Sequence, residues 1–271
     1  MPELPEVETT RRGLQPLIMS RIIHRVDIHQ SQLRWPIPDN IHDIENQSVT
    51  DIKRRGKYLI IGLSNQQHLL VHLGMSGSLS VLKQTETLKK HDHFVACLDN
   101  NTALRYHDPR RFGCILLTSD PPEHHPLLAS LGPEPLTAEF NGQWLKQQAK
   151  KRTLAVKNFI MNAAVVVGVG NIYASEALFN AAIHPGRSAS RISLQRYVQL
   201  ADTIKSVLTD AIHAGGTTLQ DFSHSDGKPG YFRQQLKVYG RDGQPCFVCQ
   251  KPLKKILIGN RSSYYCPRCQ H

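Results

Sequence analysis

Four cysteines near the end of the chain constrain its fold more than any other feature. Cys246 and Cys249 form one C-x2-C pair, Cys266 and Cys269 form a second, and 16 residues lie between the pairs. Each pair can place two thiolates on one ion from a tight turn, and a spacer of about 15–20 residues closes a hairpin over it. The spacing therefore predicts a zinc-ribbon β-hairpin that holds one structural Zn²⁺. Because four thiolates leave no open position on the ion, we expect no catalytic metal.

The remaining cysteines and the N-terminus indicate where the protein works. Cys97 and Cys114 stand alone, so the six cysteines form a metal pattern with two lone thiols rather than a disulfide framework. Acidic residues interrupt the N-terminus, which excludes a secretory signal there. The longest aliphatic run, residues 163–167, is too short to span a bilayer. We therefore expect a cytoplasmic protein with no membrane partner.

The charge of the chain favours a polyanionic partner. There are 33 lysines and arginines against 22 acids, a formal net charge of +11. From Lys228 to the last residue there are nine lysines and arginines and one acid, Asp242, a net charge of +8. Such a surface suits nucleic acid. A solvated basic tail is the alternative, but the aromatic residues and cysteines in this stretch favour a folded unit.

Apolar periodicity and turn residues divide the chain into a strand-rich part and a helical part. A helix is predicted over residues 5–17, and strands over 22–28, 58–63, 68–73, 94–98, 103–106 and 112–118. Short strands at this spacing indicate a sandwich or barrel. A proline-rich hinge at 131–136 marks a domain boundary. Beyond it, helices are predicted over 144–150, 154–164, 172–182 and 194–213, with one further turn over 217–222.

A glycine-containing turn precedes one of these helices. Gly168, Gly170 and an N-cap Asn171 leave backbone N–H groups free at the positive end of the helix dipole, which suits a DNA phosphate. A dinucleotide fold is rejected because the third glycine and the preceding strand are missing.

The first residues can supply a nucleophile. If Met1 is removed, the chain begins with the secondary amine of Pro2, next to Glu3. An α-amino group titrates near ~8, against ~10.4 for lysine, so more of it is neutral at pH 7. A terminal amine beside a carboxylate can form a Schiff base and exchange protons with its neighbour. The alternative is that Pro2 and Pro5 only stiffen the start of a helix.

Taken together, the motifs resemble those of the formamidopyrimidine-DNA glycosylase family. The resemblance covers essentially the whole chain and includes the four cysteines. Its other motifs are PELPEVET at residues 2–9, HLGMSG at 72–77, DPRRFG at 108–113, GVGNIYA at 168–174 and SDGKPGYF at 225–232.

The resemblance implies an α+β, multidomain fold. Residues 1–131 would form an N-terminal catalytic β-sandwich with the N-terminal helix. Residues 132–237 would form a helix–two-turns–helix DNA-binding domain with a lesion-covering loop, and 238–271 a four-cysteine zinc finger. Damaged double-stranded DNA would bind in the cleft between the domains of a monomer in a bacterial cytoplasm.

The resemblance also implies a bifunctional glycosylase and AP lyase of base-excision repair, acting on oxidised purines such as 8-oxoguanine and formamidopyrimidines. Pro2 would attack C1′ of the damaged nucleotide, and Glu3 would donate and accept protons. Lys57 would contact phosphate and assist β-elimination, and Arg261 would act in δ-elimination.

Further residues match DNA-contacting or loop positions of the family. The predicted DNA contacts are His72, Met75, His91, Arg110, Phe112, Arg152 and Asn171, and the predicted base-pocket residues are Glu6, Ser225 and Tyr231. Extruding a nucleotide leaves a gap, and Met75 and Phe112 are apolar wedges beside turn glycines that would fill it. Arg110 would hydrogen-bond the orphaned cytosine. For Glu6, a plain helix-start acid is the alternative.

One segment departs from the family pattern. Asn162, Ala163 and Ala164 stand where the family usually carries Asp, then Gln or Asn, then a basic residue. This loss of charge puts the local hydrogen bonding in question. Lys150, Lys151 and Lys157 lie nearby in the sequence, and we expect them to compensate.

Two other functions remain open at this point. An endonuclease VIII-type enzyme would use the same fold and lyase chemistry on oxidised pyrimidines. A zinc-ribbon DNA-binding protein without catalysis would explain the charge and the cysteines but leave the Pro2–Glu3 start unused. Comparing the excision of 8-oxoguanine with that of thymine glycol separates the first, and salt-sensitive binding without strand scission indicates the second.

Overall fold

The computed structural model describes residues 2–216 and 235–271, and these residues form two compact units. The first unit holds the described residues up to Ala129 together with Gly215 and Gly216. The second holds Ser130–Ala214 and the described residues from 235 to His271.

The first unit begins with helix α1, Leu4–Ile18, which confirms the helix predicted over residues 5–17. Glu3 is its N-cap residue and forms a capping box with Glu6. The Glu3 carboxylate accepts the Glu6 N–H, and the Glu3 N–H donates to Glu6 Oε2 at 2.8 Å. Two of the N–H groups that a helix start leaves unpaired are thereby satisfied. The buried residues Leu4, Val7, Leu14 and Ile18 lie three or four positions apart and pack into the core.

Two antiparallel four-stranded sheets make up the rest of this unit, which ends in the short helix α2, Pro126–Ala129. One sheet has the order β1, β6, β7, β5, formed by Ile23–Ile28, Asp92–Leu98, Thr102–His107 and Ser78–Lys83. The other has the order β2, β3, β4, β8, formed by Val49–Arg55, Tyr58–Leu63, His68–His72 and Cys114–Thr118.

Alternate residues of both sheets meet in a single buried core. On β3 these are Leu59, Ile61 and Leu63, and on β6 they are Phe94, Ala96 and Leu98. Residues two apart on a strand point to the same face, so each of these sets faces one core. Residues of α1 belong to the same core. The unit is therefore the predicted β-sandwich carrying the N-terminal helix.

Two strands of the sandwich, β2 and β5, were not predicted from the sequence, and one predicted strand was too long. Charged residues obscure the apolar pattern of β2, in which Val49 and Ile52 are buried, and serines interrupt the apolar pattern of β5. The strand predicted over 112–118 begins only at Cys114, because turn backbone bound to Asp108 precedes it.

A cluster of arginines around Glu8 ties α1 to the sandwich. The Glu8 side chain, 11% exposed, accepts from Arg11 at 2.9 Å, from Arg12 at 2.8 Å and from Arg54 of β2 at 3.1 Å. Partial burial raises the pKa of Glu8, but the hydrogen bonds from Arg11 and Arg12 and the charges of Arg11 and Arg54 outweigh it and lower the pKa to about 2.

Replacing this carboxylate changes how stability depends on pH. A group whose pKa falls on folding stabilises the folded state above its unfolded pKa, and that contribution is lost as pH drops towards the folded pKa. We expect Glu8→Gln to lower Tm at pH 7, and the difference from wild type to shrink between pH 4.5 and about 2. Thermal unfolding at several pH values measures this difference. A constant difference down to about pH 2 would contradict the assignment. Asp99→Asn is the matched control, because Asp99 only approaches the exposed Arg21 at 4.0 Å.

The second unit is helical and carries a C-terminal hairpin. Its helices are α3 (Gly142–Gln148), α4 (Val156–Ile160), α5 (Asn171–Asn180) and α6 (Leu194–His213), and its strands are β9 (Lys254–Ile258) and β10 (Arg261–Tyr265). Helix α6 has the predicted bounds. Across the described ranges, no helix is long and apolar enough to cross a membrane.

The helix predicted over 154–164 is wrong in its second half, because α4 ends at Ile160. Asn162 turns the chain there. Its side-chain oxygen accepts the Ala164 N–H at 3.0 Å, and its carbonyl accepts the Val165 N–H at 2.9 Å. A short polar side chain that binds nearby backbone competes with helix formation. Asn162, which differs from the residue usual in the family, therefore forms a hydrogen-bonded turn.

Candidate active site and DNA interface

The proposed nucleophile and its acid lie at the positive end of α1. Pro2 and Glu3 are buried, and Glu3 is 2% exposed. The capping box fixes the Glu3 carboxylate on the N–H groups of the first turn, where the helix dipole favours negative charge. The residue types and their order can therefore present an amine and a carboxylate side by side.

Glu6 is held in the same network. One carboxylate oxygen accepts the Glu3 N–H. The other oxygen, Oε1, lies against Gly216: a Cβ atom added to that glycine would be 3.0 Å from this oxygen. This geometry accounts for Glu6 as a helix-start acid that orients Glu3. Its role in a base pocket stays a prediction.

The turn that carries Lys57 is tied to the same helix. Lys57 follows Gly56, whose φ of +58° closes the turn between β2 and β3. Arg54 binds Glu8 through Nε at 3.1 Å and the Gly56 carbonyl through Nη1 at 3.1 Å. One arginine thus connects α1, which begins beside Pro2, to the lysine turn. Lys57 itself is half-buried.

His72 is a neutral donor rather than a cation. Burial, with the charges of Lys57 and Arg34, lowers its pKa to about 4, so the ring is uncharged at pH 7. Its Nδ1 accepts the Gly74 N–H at 2.9 Å, which leaves the proton on Nε2. A neutral imidazole in this tautomer can donate one hydrogen bond to a phosphate oxygen.

Met75 and Phe112 occupy the tips of two adjacent loops. Met75 is 37% exposed and Phe112 is 47% exposed, although both side chains are large and apolar. Arg110 is exposed, and its guanidinium carbon lies 5.0 Å from the centre of the Phe112 ring. Both loops bind Asp108, a fully buried carboxylate whose role was not predicted from the sequence. An aspartate that opens a D-P-x-x-x-G turn is the sequence signal that could have indicated this role.

His91 and Arg152 lie in different units. The His91 ring lies 5.9 Å from both His93 and His107, and partial desolvation and the charge of His107 lower its pKa. Arg152 is half-buried, with its guanidinium carbon 6.0 Å from the Phe159 ring. His91 directly precedes β6, whereas Arg152 lies in the segment between α3 and α4.

Asn171 has a different position in its helix from the predicted one. Gly170 is the N-cap of α5, and Asn171 is the first helical residue. The Asn171 amide donates instead to the Ser262 carbonyl at 3.1 Å and to the Tyr239 hydroxyl at 3.4 Å. Glycine adds no side chain at the helix start, and phosphate binding by this turn stays a prediction.

The prediction that Lys157 compensates for lost surface charge is wrong. Its side chain is fully buried, and Nζ donates to the Ser262 carbonyl at 2.9 Å and to Ser263 Oγ at 2.8 Å. Lys157 therefore anchors the hairpin residues beside Arg261. Lys150 and Lys151 are exposed and remain able to compensate.

Arg261 stands where the hairpin turns. It begins β10, pairs with Ile258 of β9, and follows the turn residues Gly259 and Asn260. Its side chain is exposed. Its role in δ-elimination stays a prediction. Ser225 and Tyr231 lie outside the described residues, as do the loop around them and the turn predicted over 217–222.

The four predicted cysteines converge into one cluster. Their sulfur atoms lie within 4.8 Å of one another, with 3.9 Å between Cys246 and Cys269 and 3.4 Å between Cys249 and Cys266. Tetrahedral Zn–S bonds of about 2.3 Å place sulfur atoms about 3.8 Å apart. The donor set and spacing fit one structural zinc. These cysteines would hold it, and with all four positions filled it would fix the hairpin.

Comparison with known proteins covers the chain from its first residue to its last. Residues 1–115 match the formamidopyrimidine-DNA glycosylase N-terminal domain. Residues 131–223 match the formamidopyrimidine-DNA glycosylase H2TH domain, and residues 243–271 match a zinc finger found in FPG and IleRS.

Individual relatives agree with these domain matches. A formamidopyrimidine-DNA glycosylase from Methylococcus capsulatus is 53% identical over 271 residues, with both chains fully covered. A crystal structure of a Lactococcus lactis FPG mutant with a Fapy-dG containing DNA has a TM-score of 0.93 at 30% identity. The wild-type L. lactis protein with an oxidised pyrimidine containing DNA has a TM-score of 0.92 at 30% identity. Both structures cover, and are covered by, the full chain.

Proposed function

Because the chain belongs to the formamidopyrimidine-DNA glycosylase family, we propose that the Pro2 amine is the nucleophile of its reaction. The protein is a DNA glycosylase of base-excision repair, and AP lyase activity follows from the family. The observation that carries the assignment is the Pro2–Glu3 pair at the start of α1, with its carboxylate fixed by the capping box.

The reaction then proceeds from this pair. The neutral Pro2 nitrogen bonds to C1′ of the damaged nucleotide, the glycosidic bond breaks, and its electron pair leaves with the base. Glu3 accepts the proton that the Pro2 nitrogen releases and supplies a proton to the ring oxygen as the sugar ring opens, and an iminium bond then joins Pro2 to the sugar. Loss of a C2′ proton then expels the 3′ phosphate. Lys57 assists this β-elimination, and Arg261 assists the δ-elimination that follows.

The DNA-contacting residues act in two ways. Arg152 and Arg261 supply charge to phosphate, whereas Arg110, the Asn171 backbone N–H and the neutral His72 supply hydrogen bonds, Arg110 to the orphaned cytosine and the other two to phosphate. Met75 and Phe112 enter the gap that the extruded nucleotide leaves, and Glu6, Ser225 and Tyr231 line the base pocket. We propose that the partner is damaged double-stranded DNA, bound by a monomer in the bacterial cytoplasm. The proposed domains are the catalytic β-sandwich at residues 1–131, the helix–two-turns–helix domain at 132–237 and the zinc finger at 238–271.

We propose oxidised purines as the substrate class. The L. lactis relatives support binding of both classes, since one structure contains Fapy-dG DNA and another oxidised-pyrimidine DNA. Single-turnover excision of 8-oxoguanine opposite cytosine, compared with thymine glycol opposite adenine, tests the proposal. We expect 8-oxoguanine to be excised at least about 10-fold faster, the discrimination that about 1.4 kcal/mol provides. Faster excision of thymine glycol would indicate the endonuclease VIII-type specificity.

The charge states of two DNA contacts give a separate prediction. Arg152→Gln removes a cation that we assign to a phosphate contact, so the slope of log Kd against log salt should fall by about 1. His72→Gln replaces a neutral donor, so it should weaken binding without changing that slope. Fluorescence anisotropy on a lesion duplex at several salt concentrations measures both. A reduced slope for His72→Gln would show that this ring binds DNA as a cation.

A further inference from the structure

The loops that carry Met75 and Phe112 share one buried anchor. We call residues 74–77 and 109–113 the wedge loops. Asp108, 0% exposed, lies between them. Its Oδ1 accepts the Ser76 hydroxyl of the first loop at 2.7 Å, and its Oδ2 accepts the Gly113 N–H of the second at 2.9 Å. A single carboxylate thus binds both loops.

Ser76 and Tyr106 complete the network around this carboxylate. Ser76 Oγ also accepts the Arg110 N–H at 3.1 Å, so Ser76 links the backbone of one loop to the other. The Tyr106 hydroxyl lies 3.2 Å from both Asp108 Oδ2 and the His72 carbonyl. Burial and the nearby Asp108 charge raise the pKa of Tyr106, so this phenol stays protonated and donates. On the backbone side, His93 Nε2 donates to the Asp108 carbonyl at 2.8 Å.

The glycines of the wedge loops fit the same arrangement. A Cβ at Gly74 would collide with the backbone of Phe112 and Gly113, and a Cβ at Gly113 would collide with the Tyr106 hydroxyl. The loops therefore touch through their backbones, with no side chain between them. Close backbone packing and buried hydrogen bonds leave these loops little freedom.

We propose that Asp108 is the positioning residue of the wedge: its carboxylate joins the two loops so that Met75 and Phe112 enter the duplex as one preassembled unit. This inference rests on the proposed function, in which these two side chains fill the gap left by the extruded nucleotide. A preassembled wedge loses less conformational entropy on binding, since its loops are ordered before DNA arrives. Asp108 touches neither the lesion nor the reacting atoms.

Asp108→Asn tests the proposal while keeping the shape of the side chain. The amide replaces one acceptor oxygen with a donor, so the bonds to Ser76 or to Gly113 and Tyr106 are lost. We expect base excision from a duplex with 8-oxoguanine opposite cytosine to slow by about 10- to 100-fold, the effect of losing hydrogen bonds to a charged group. Single-stranded DNA has no base stack in which the extruded nucleotide leaves a gap. The rate at which Asp108→Asn cleaves a preformed abasic site in single-stranded DNA should therefore stay within about twofold of the wild-type rate.

A fluorescent base next to the lesion separates wedge insertion from chemistry. 2-Aminopurine placed there brightens when the stack opens, and stopped-flow traces should show this step slowed in Asp108→Asn by the same factor as excision. Ser76→Ala should slow it less. The double variant should be no worse than Asp108→Asn alone, because both residues belong to one network. Asp99→Asn, in an exposed ion pair on the same sandwich, is the matched control.

Several outcomes would overturn the inference. Equal losses on the duplex and on the single-stranded abasic site would show that Asp108 only supports the fold. An unchanged stopped-flow step in Asp108→Asn would show that the loops need no anchor. If Asp108→Asn does not fold, an unchanged opening step in Ser76→Ala rejects the network. Met75→Ala and Phe112→Ala test the underlying function: normal duplex excision in both would reject the wedge itself, whatever Asp108 does.

Discussion

A chain that keeps Met1 should lose both base excision and strand cleavage, by about 10³-fold or more, the order lost when an enzyme's nucleophile is removed. Retained Met1 converts the Pro2 nitrogen into a tertiary amide, whose lone pair is delocalised into the carbonyl and cannot attack C1′. No side chain changes in this form. Single-turnover cleavage of a duplex with 8-oxoguanine opposite cytosine measures the loss.

The control for this experiment is the same polypeptide after processing. Expression with methionine aminopeptidase inhibited yields the retained form, and treating that form with the purified aminopeptidase yields the free Pro2 amine. Mass spectrometry of the intact chain distinguishes the two. Activity should return in proportion to the fraction processed. Full activity in the retained form would show that another residue is the nucleophile, with Lys57 the first candidate.

Removing a zinc ligand should have the second-largest effect, on DNA binding and on the δ-elimination that Arg261 assists. Cys249→Ser takes one thiolate from the cluster, and zinc binding supplies about 10–16 kcal/mol of folding free energy to small zinc modules. We expect zinc content to fall from one per chain to near zero. The hairpin carries Lys254, Lys255 and Arg261. We expect Kd for a lesion duplex at about 0.15 M salt to rise by about 100-fold, the scale of losing a few phosphate contacts.

A second cysteine provides the control for the zinc experiment. Cys97 is buried in the sandwich and belongs to a different unit from the zinc cluster; Arg25 Nη2 lies 3.6 Å from its sulfur. Cys97→Ala should keep one zinc per chain and wild-type DNA affinity. Far-UV circular dichroism and thermal unfolding show whether the sandwich persists in Cys249→Ser. Unchanged zinc content or DNA affinity in Cys249→Ser would contradict the assignment of the hairpin.

Local patterns in the sequence predicted the parts of this fold that local chemistry determines. The cysteine spacing predicts the ligand cluster because each pair sits on a turn of its own. The start of α1 is equally local, since Glu3 and Glu6 satisfy each other's N–H groups within one turn. Helix α6 was predicted with its observed bounds because its apolar residues repeat at helical spacing over 20 residues.

Contacts between distant parts of the chain could not be predicted in this way. Lys157 reads as a surface lysine in the sequence, yet Ser262 and Ser263, more than 100 positions away, accept its ammonium group in the interior. His72 is predicted from the sequence only as a DNA contact, and the burial beside Lys57 that keeps it neutral has no sequence signal. Asp108 binds Ser76 across 32 positions. In each case tertiary packing, which leaves no periodic signal, determines the role of the side chain.

Borohydride trapping tests the central claim most directly. The protein is incubated with a duplex containing 8-oxoguanine opposite cytosine, the imine is reduced to a stable amine, and the cross-linked peptide is located by mass spectrometry. The account predicts one DNA adduct, on the N-terminal peptide, at the nitrogen of Pro2. An adduct confined to a lysine, or strand cleavage without any trapped adduct from a chain with an intact Pro2 terminus, would contradict it.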